Sequence, residues 1–132
     1  MVQNVNRFNR TRQDHRQEIA EDYCEMIYQW VEAGKVPRAV DLAETMGVSQ
    51  VSASKTLKRL RDAGLVTFEP YRCVALTESG VQLARASMRR HQLVVGLLLR
   101  LGVAPDVAET DAEGIEHHVS DATLSAIERF LD

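Results

Sequence analysis

The chain has 132 residues, of which 45% are apolar and 27% are charged, with a formal net charge of −3. This length suffices for one domain or for two small lobes that share a core. The chain has no apolar run near the ~18 residues that a membrane span requires, and no signal peptide opens it. We therefore expect a cytoplasmic protein with no membrane partner. Two isolated cysteines, Cys24 and Cys73, are typical of packing residues in a reducing compartment.

Charge is distributed unevenly along the chain. Residues 35–72 include seven basic residues (Lys and Arg) and four acidic residues (Asp and Glu). Residues 102–132 include one basic residue and eight acidic residues. A basic middle favours contact with a polyanion, and an acidic end favours contact with cations. Solvated faces that differ in sign would explain the charge pattern equally well.

The N-terminal third predicts an arm followed by a helix. Residues 1–14 are polar, carry three arginines and show no periodicity, so we expect a mobile basic arm. From His15 to Ala33 apolar residues recur at spacings of three and four, which is typical of an amphipathic helix. Asp22 and Glu25 are neighbours on one face of that helix, and by themselves they are most simply solvated acids.

Residues 38–63 have the spacing of a helix-turn-helix, with helices over 38–46 and 49–63 around a turn at Gly47. Ser49 is the predicted N-cap of the second helix. The predicted inward-facing apolar stripe of that helix consists of Val48, Ala53, Leu57 and Leu60. The outer face of the second helix has short hydrogen-bonding side chains first and cations later. This order suits DNA, because the start of a recognition helix reaches base edges while flanking cations meet phosphates. From this order, the predicted DNA-binding residues on this helix are Gln50, Ser52, Lys55 and Lys58.

Residues 65–76 predict a short β-hairpin, the wing of a winged helix, with Arg72 near its tip as a further DNA-binding residue. We therefore predict a mainly α protein with a winged helix-turn-helix DNA-binding domain over 15–76. A winged helix that binds another protein is the alternative.

The last part of the chain, 77–132, predicts a helical domain. A long helix runs from Thr77 to about Leu101, and on it His91 lies on an apolar face, where a hydrogen-bonded core histidine is the usual explanation. On the next helix Glu113, Glu116 and His117 fall within about 100° of arc. Carboxylates and imidazole on one face resemble part of a metal site, and further ligands must come from other helices. A final helix over 121–131 follows a cap at Ser120.

These elements and their motif residues resemble the diphtheria-toxin-repressor family, and within it the manganese-transport-regulator branch. The resemblance runs from about Glu21 to Ser120. Its most specific parts are the separated segments Asp22-Tyr-Cys-Glu25, Arg90-His91 and Asp111-Ala-Glu-Gly-Ile-Glu-His-His-Val-Ser120. Ser49, Val51, Ser52 and Lys55 match the family's base-proximal positions, so the resemblance adds Ser49 and Val51 to the predicted DNA-binding residues. A proline that is common in the family at the Val51 position is absent here.

The resemblance implies a ligand set for a pair of divalent cations per subunit. The set comprises Asp22, Glu25, His91, Glu113, Glu116 and His117. Oxygen and imidazole donors without thiolate suit Mn²⁺ or Fe²⁺. In the iron branch sulfur residues stand at the positions of Asp22 and Glu113, so carboxylates at both positions favour manganese. His118 points away from the others and is assigned to the surface or to a position behind the ligands.

The resemblance also implies a homodimer that binds a palindromic operator in double-stranded DNA and represses manganese homeostasis genes such as uptake transporters. We expect a non-enzymatic protein without a small-molecule substrate, in which metal acts as corepressor. An Fe²⁺-responsive repressor is the alternative within the class. A carboxylate-bridged dimetal enzyme and a structural winged-helix module are alternatives from other classes.

Overall fold

The structure, a computed structural model, describes residues 2–69 and 73–132, with side chains in the first helix from Arg12 onward. It divides into two compact units, one formed by Met1–Ile19 with Ala86–Asp132 and the other by Ala20–Arg85. The sequence predicted boundaries near residues 14 and 76, whereas the compact units divide inside two long helices. A continuous helix can pack into two cores, and sequence periodicity does not show where one core ends.

Helix α1 covers Val2–Glu32. Residues 2–14, predicted as part of a mobile basic arm, therefore continue this helix. These residues contain no glycine or proline, and extending an existing helix costs far less than nucleating a new one. In the second unit Tyr23, Cys24 and Ile27 of α1 are buried, in agreement with the predicted amphipathic face.

The helix-turn-helix consists of α2 (Ala39–Met46) and α3 (Gln50–Asp62). Between them Gly47 adopts a φ of 69°, a left-handed conformation that glycine tolerates without steric cost. Ser49 caps α3, because its side chain accepts a hydrogen bond of 3.1 Å from the backbone N–H of Ser52. These local interactions set the sharp turn that a helix-turn-helix requires.

A two-stranded antiparallel sheet follows, made of β1 (Val66–Thr67) and β2 (Ala75–Leu76), with Val66 opposite Leu76. The predicted hairpin is thus present, and its tip, including Arg72, lies outside the described residues. Arg61 of α3 donates a hydrogen bond of 3.4 Å to the carbonyl of Phe68, the residue that follows β1.

The start of α4 (Glu78–Arg100) is held against the end of α3. The Thr77 hydroxyl donates to the carbonyl of Gly64 at 2.6 Å, and Thr77 accepts from the N–H of Gly80 at 3.2 Å. A side chain at Gly80 would collide with the carbonyl oxygen of Leu65. The base of the wing therefore depends on a close backbone approach that only glycine permits.

The first unit contains the later part of α4, α5 (Pro105–Ile115), a 3₁₀ turn over Glu116–His118, and α6 (Asp121–Leu131). Its buried apolar residues include Val94, Ala108 and Ala112. Ser120 caps α6 as predicted, accepting from the N–H of Thr123 at 3.2 Å. Among the helices in the described parts of the chain, none has the length and apolar character needed to cross a membrane.

Candidate metal centre and DNA-binding surface

The candidate metal centre of the first unit is built by α4, α5 and the 3₁₀ turn. His91 lies in the middle of α4. Glu109 and Glu113 are one turn apart on α5, so their side chains leave the same side of the helix. Glu116 follows α5 directly, at the first position of the 3₁₀ turn. Two separate stretches of the sequence, one in α4 and one that runs from α5 into the 3₁₀ turn, therefore contribute side chains to one place.

The donor atoms of His91, Glu113 and Glu116 converge. Nδ1 of His91 lies 2.7 Å from Oε2 of Glu116 and 3.7 Å from Oε1 of Glu113. One donor atom from each of the three residues lies within 4.8 Å of the other two, a separation that a single cation can bridge. Carboxylate oxygens with one imidazole nitrogen are a donor set suited to Mn²⁺ or Fe²⁺.

Glu116 is the least accessible member of this group, with a side chain only 1% exposed. Burial raises the pKa of this carboxyl group from 4.5 to about 7. The charge of Glu113 also raises the pKa, whereas His91 and His117 lower it without offsetting the burial.

One oxygen of Glu116 lacks a hydrogen bond. Among the described residues Oε1 has no hydrogen-bond partner, and Nε2 of His117 is 3.5 Å away. A buried polar atom in this position costs free energy unless something binds it. A divalent cation would satisfy this oxygen, so the donor set fits a metal.

His91 has carboxylates on both sides of its ring. Burial lowers the pKa of His91, but the hydrogen bond with Glu109 and the charges of Glu116 and Glu113 outweigh this effect and raise the pKa above 6.5. Protons therefore compete with a cation for the metal-free centre. A cation that binds here must displace them, since metal ligands are deprotonated.

The other predicted ligands lie on two elements. His117, in the 3₁₀ turn, has a side chain 2% exposed. Asp22 and Glu25 lie one turn apart on α1 in the second unit, and both are partly exposed. His118 is exposed, as predicted. Burial raises the pKa of the Cys24 thiol to about 11, which disfavours a thiolate ligand at that position.

Two residues near the donors were missed by sequence reasoning. Nε2 of His91 lies 2.7 Å from Oε2 of Glu109, and a donor atom of Glu18 lies within 4.8 Å of one of His117. Each missed residue precedes a predicted ligand by four positions on a helix, Glu109 before Glu113 and Glu18 before Asp22. That spacing was a usable signal, because residues four apart share a helical face.

One geometric prediction is wrong. The sequence placed Glu113, Glu116 and His117 on a continuous α-helix, but α5 ends at Ile115 and a 3₁₀ turn follows. A 3₁₀ turn has about 3.0 residues per turn, so the α-helical angles between these residues no longer apply. Ile115, the last residue of α5, is 44% exposed.

The candidate DNA-binding surface is the outer face of α3. Its buried face consists of Ala53, Thr56, Leu57 and Leu60. The predicted contact residues at the start of the helix and along its outer side are all exposed. They are Ser49, Gln50, Val51, Ser52, Lys55 and Lys58. Val48, predicted to face inward, is 40% exposed, because it precedes the first helical turn of α3.

Both parts of the chain match models of a known family. Residues 17–74 match the model described as iron dependent repressor, N-terminal DNA binding domain. Residues 77–132 match the model described as iron dependent repressor, metal binding and dimerisation domain. The chain therefore belongs to the iron-dependent repressor family. Its members are transcriptional repressors, so this protein is a DNA-binding regulator and not an enzyme, with a divalent metal as its cofactor.

Curated relatives cover nearly the whole chain. The transcriptional regulator MntR of Escherichia coli O6:H1 is 45% identical over 128 residues, which span 97% of this chain and 83% of the relative. MntR of Salmonella typhimurium is 46% identical over 129 residues, which span 97% of this chain and 82% of the relative.

Solved structures share the fold. The manganese regulator SloR is similar with a TM-score of 0.73 and 33% identity over 85% of this chain. A manganese-dependent transcriptional repressor in complex with manganese has a TM-score of 0.71 and 35% identity over 85% of this chain. The chain spans about half the length of these structures, 53% and 52% respectively. The prediction of an N-terminal winged helix with a C-terminal helical lobe for dimerisation and metal binding is confirmed.

Proposed function

We propose that this protein is a manganese-responsive repressor whose affinity for operator DNA depends on divalent cations bound by its acidic and histidine side chains. Support comes from the convergence of donor atoms of His91, Glu113 and Glu116. The Glu116 side chain is buried, and its Oε1 has no hydrogen-bond partner among the described residues. The relatives named as manganese regulators support the same metal.

We propose that the ligands are the six residues predicted from the sequence. They are Asp22, Glu25, His91, Glu113, Glu116 and His117. Two ions per subunit are supported by the presence of further donors outside the His91 group, since Glu18 and His117 also offer atoms within 4.8 Å of each other. That Asp22 and Glu25 also bind a cation stays a prediction.

Manganese is favoured over softer metals by the donor chemistry. The side chains that converge offer only oxygen and imidazole nitrogen, whereas thiolates select zinc, copper(I) or iron–sulfur clusters. An Fe²⁺-responsive repressor remains the second candidate, because the same donors accept Fe²⁺ and the family is described as iron dependent. DNA binding compared at matched free Mn²⁺ and anaerobic Fe²⁺ would distinguish the two metals.

On the DNA side, we propose that a homodimer presents two copies of α3 to a palindromic operator of manganese homeostasis genes, such as those for uptake transporters. The exposed polar start of α3 supports contact with base edges. Lys55 and Lys58 on the same exposed side suit phosphates, and Arg72 is proposed to reach the DNA from the wing. Binding to chromosomal operators implies a cytoplasmic location.

The ligands themselves account for a metal-dependent switch. Without a cation, Glu113 and Glu116 place two carboxyl groups beside His91, and the burial of Glu116 disfavours its charged form. A bound divalent cation supplies the positive charge that offsets these carboxylates. If the conformation that binds metal also binds operator, the two affinities are coupled. Such couplings typically amount to about 1–3 kcal/mol, or roughly 5- to 150-fold in affinity.

The test is a titration of fluorescently labelled promoter DNA with the protein, in which fluorescence anisotropy measures binding. The titration is done once with Mn²⁺ and once with a chelator. We expect the wild type to bind roughly 5- to 150-fold more tightly with Mn²⁺. Glu116→Ala should lose this difference while keeping its helical content. Asp111→Ala is the matched control, because it removes an exposed carboxylate of α5 outside the converging group and should respond like the wild type.

Equal operator affinity of the wild type in excess Mn²⁺ and in chelator would contradict the proposal. An equal loss in Glu116→Ala and Asp111→Ala would show that overall charge, and not a defined metal centre, controls DNA binding.

A further inference from the structure

Glu109 contacts the edge of the His91 ring that lies away from the converging carboxylates. Its Oε2 is 2.7 Å from Nε2 of His91, whereas Nδ1 of the same ring is 2.7 Å from Glu116. His91 is thus held between α5 on one side and the 3₁₀ turn on the other. Glu109 is not among the ligands that were predicted from the sequence.

Neutral imidazole carries one proton on one of its two nitrogens, and the other nitrogen has the lone pair that binds a metal. The hydrogen bond made by the protonated nitrogen decides which nitrogen ligates and how the ring is turned. A carboxylate only accepts hydrogen bonds. Both ring nitrogens of His91 face a carboxyl group at 2.7 Å. A cation held by Glu113 and Glu116 would take the place of a proton on the Nδ1 side, so the carboxylate of Glu109 then favours the remaining proton at Nε2 and leaves the lone pair at Nδ1.

We propose that Glu109 is a positioning residue for the metal centre, which accepts a hydrogen bond from Nε2–H of His91 and so presents Nδ1 to the cation. This inference rests on the proposed function, in which His91 is a ligand. Nδ1 is the nitrogen that faces both other donors, at 2.7 Å from Glu116 and 3.7 Å from Glu113.

The competing role for Glu109 is that of a direct ligand. The geometry argues against it, because the group of donor atoms within 4.8 Å of one another includes His91, Glu113 and Glu116 but not Glu109. The Glu109 side chain is also more exposed than that of its partner, with Glu109 61% exposed and His91 17% exposed.

The exposure of Glu109 sets the size of the expected effect. Because water can partly replace Glu109, its loss should weaken metal binding by a factor near the lower end of the ~10- to 100-fold range for partners of metal ligands.

The first measurement is the dissociation constant for Mn²⁺, obtained by competition with a fluorescent chelator. Glu109→Ala should weaken binding about 10-fold, because Nε2–H loses its acceptor. Glu109→Gln removes the same charge but keeps an acceptor oxygen, so it should remain within about 3-fold of the wild type. Asp111→Ala, which removes a charge from the same helix without contacting His91, should match Glu109→Gln.

Equal losses in Glu109→Gln and Glu109→Ala would overturn the inference, because Glu109 would then act as a ligand or through its charge. An unchanged affinity in Glu109→Ala would overturn it as well.

The second measurement identifies the ligating nitrogen directly. In protein with nitrogen-labelled histidine and an NMR-active cadmium isotope, we expect scalar coupling between cadmium and Nδ1 of His91, with the proton on Nε2. In Glu109→Ala this Nε2 proton should exchange faster with water. Coupling to Nε2 would overturn the role of Glu109 while leaving His91 as a ligand. An absence of coupling to either nitrogen would overturn the ligand role of His91 itself, which separates a failure of the inference from a failure of the proposed function.

Discussion

At the scale of single residues, the most informative group is the carboxyl of Glu116. Its side chain is 1% exposed, and only one of its two oxygens is hydrogen bonded among the described residues, to His91. Stability alone does not explain such a residue, because an apolar side chain of similar size would avoid the cost of burying a carboxylate. A residue that destabilises the metal-free protein and stabilises the metal-bound protein makes the cation more effective as a signal.

The pKa of Glu116 leads to a prediction for the metal-free protein. The pKa is raised from 4.5 to about 7 in the fold, so the folded state binds this proton more tightly than the unfolded state does. The stabilising contribution of the protonated group is complete below its unfolded pKa and is lost as pH rises through about 7. The raised pKa of His91 acts in the same direction.

We therefore expect Glu116→Gln to be more stable than the wild type at about pH 8 without metal, by on the order of 1–3 kcal/mol, and to lose this advantage towards about pH 5. Urea unfolding at both pH values in the presence of chelator measures the difference. In excess Mn²⁺ the order should reverse, because only the wild type gains the full binding free energy. A metal-free wild type that is the more stable protein at the higher pH would contradict this explanation.

At the scale of elements, α3 has two faces with separate tasks. The inner face is buried through Leu57 and Leu60, and this packing fixes the helix in its domain. The outer face leaves Val51 66% exposed together with its polar neighbours. Ser49 stands at the junction, since it caps the helix and is also a predicted DNA contact.

Substitutions at Ser49 separate capping from DNA binding. Ser49→Ala should destabilise the protein by about 1 kcal/mol through loss of the cap, whereas Ser49→Asp should retain the cap because aspartate is also a good N-cap residue. The added negative charge should nevertheless weaken DNA binding through repulsion from phosphates. Thermal unfolding and anisotropy with promoter DNA measure the two effects. If Ser49→Asp binds DNA as well as the wild type, Ser49 lies away from the DNA backbone.

At the scale of the whole molecule, the apolar surface of the first unit is the feature that a single chain leaves unexplained. Leu99, Leu101, Val107 and Phe130 are each at least 45% exposed, and all four belong to the part that matches a metal binding and dimerisation domain. An apolar surface with few charged residues is typical of the centre of a homodimer interface. We propose that a second copy of the chain covers part of this surface.

A charged side chain in that surface should weaken the dimer. We expect Leu99→Glu to shift the protein towards monomer, because burying an unpaired carboxylate is costly. The matched control is Val31→Glu, which introduces the same charge at a residue 53% exposed in the second unit and should remain dimeric. Sedimentation of both variants over a range of concentrations measures the shift. If Leu99→Glu remains dimeric like Val31→Glu, Leu99 lies outside the interface.

The sequence by itself determined the local elements and the chemistry of the ligands. The helix-turn-helix followed from Gly47, from the cap at Ser49 and from apolar spacing, all of which act over a few residues. The bounds of α2, α3, α4 and α6 agree with the predicted helices to within one or two residues. The carboxylate and imidazole residues were recognised because their type and order resemble one family.

Only the tertiary structure decided which side chains meet. The contact between His91 and Glu109 joins α4 to α5 across 18 positions in the sequence, and helical periodicity relates only residues within a few turns. The end of α5 at Ile115 and the buried, incompletely hydrogen-bonded carboxylate of Glu116 likewise depend on packing between helices. Burial sets the pKa of Glu116, and burial is a property of the folded chain that composition and spacing do not contain.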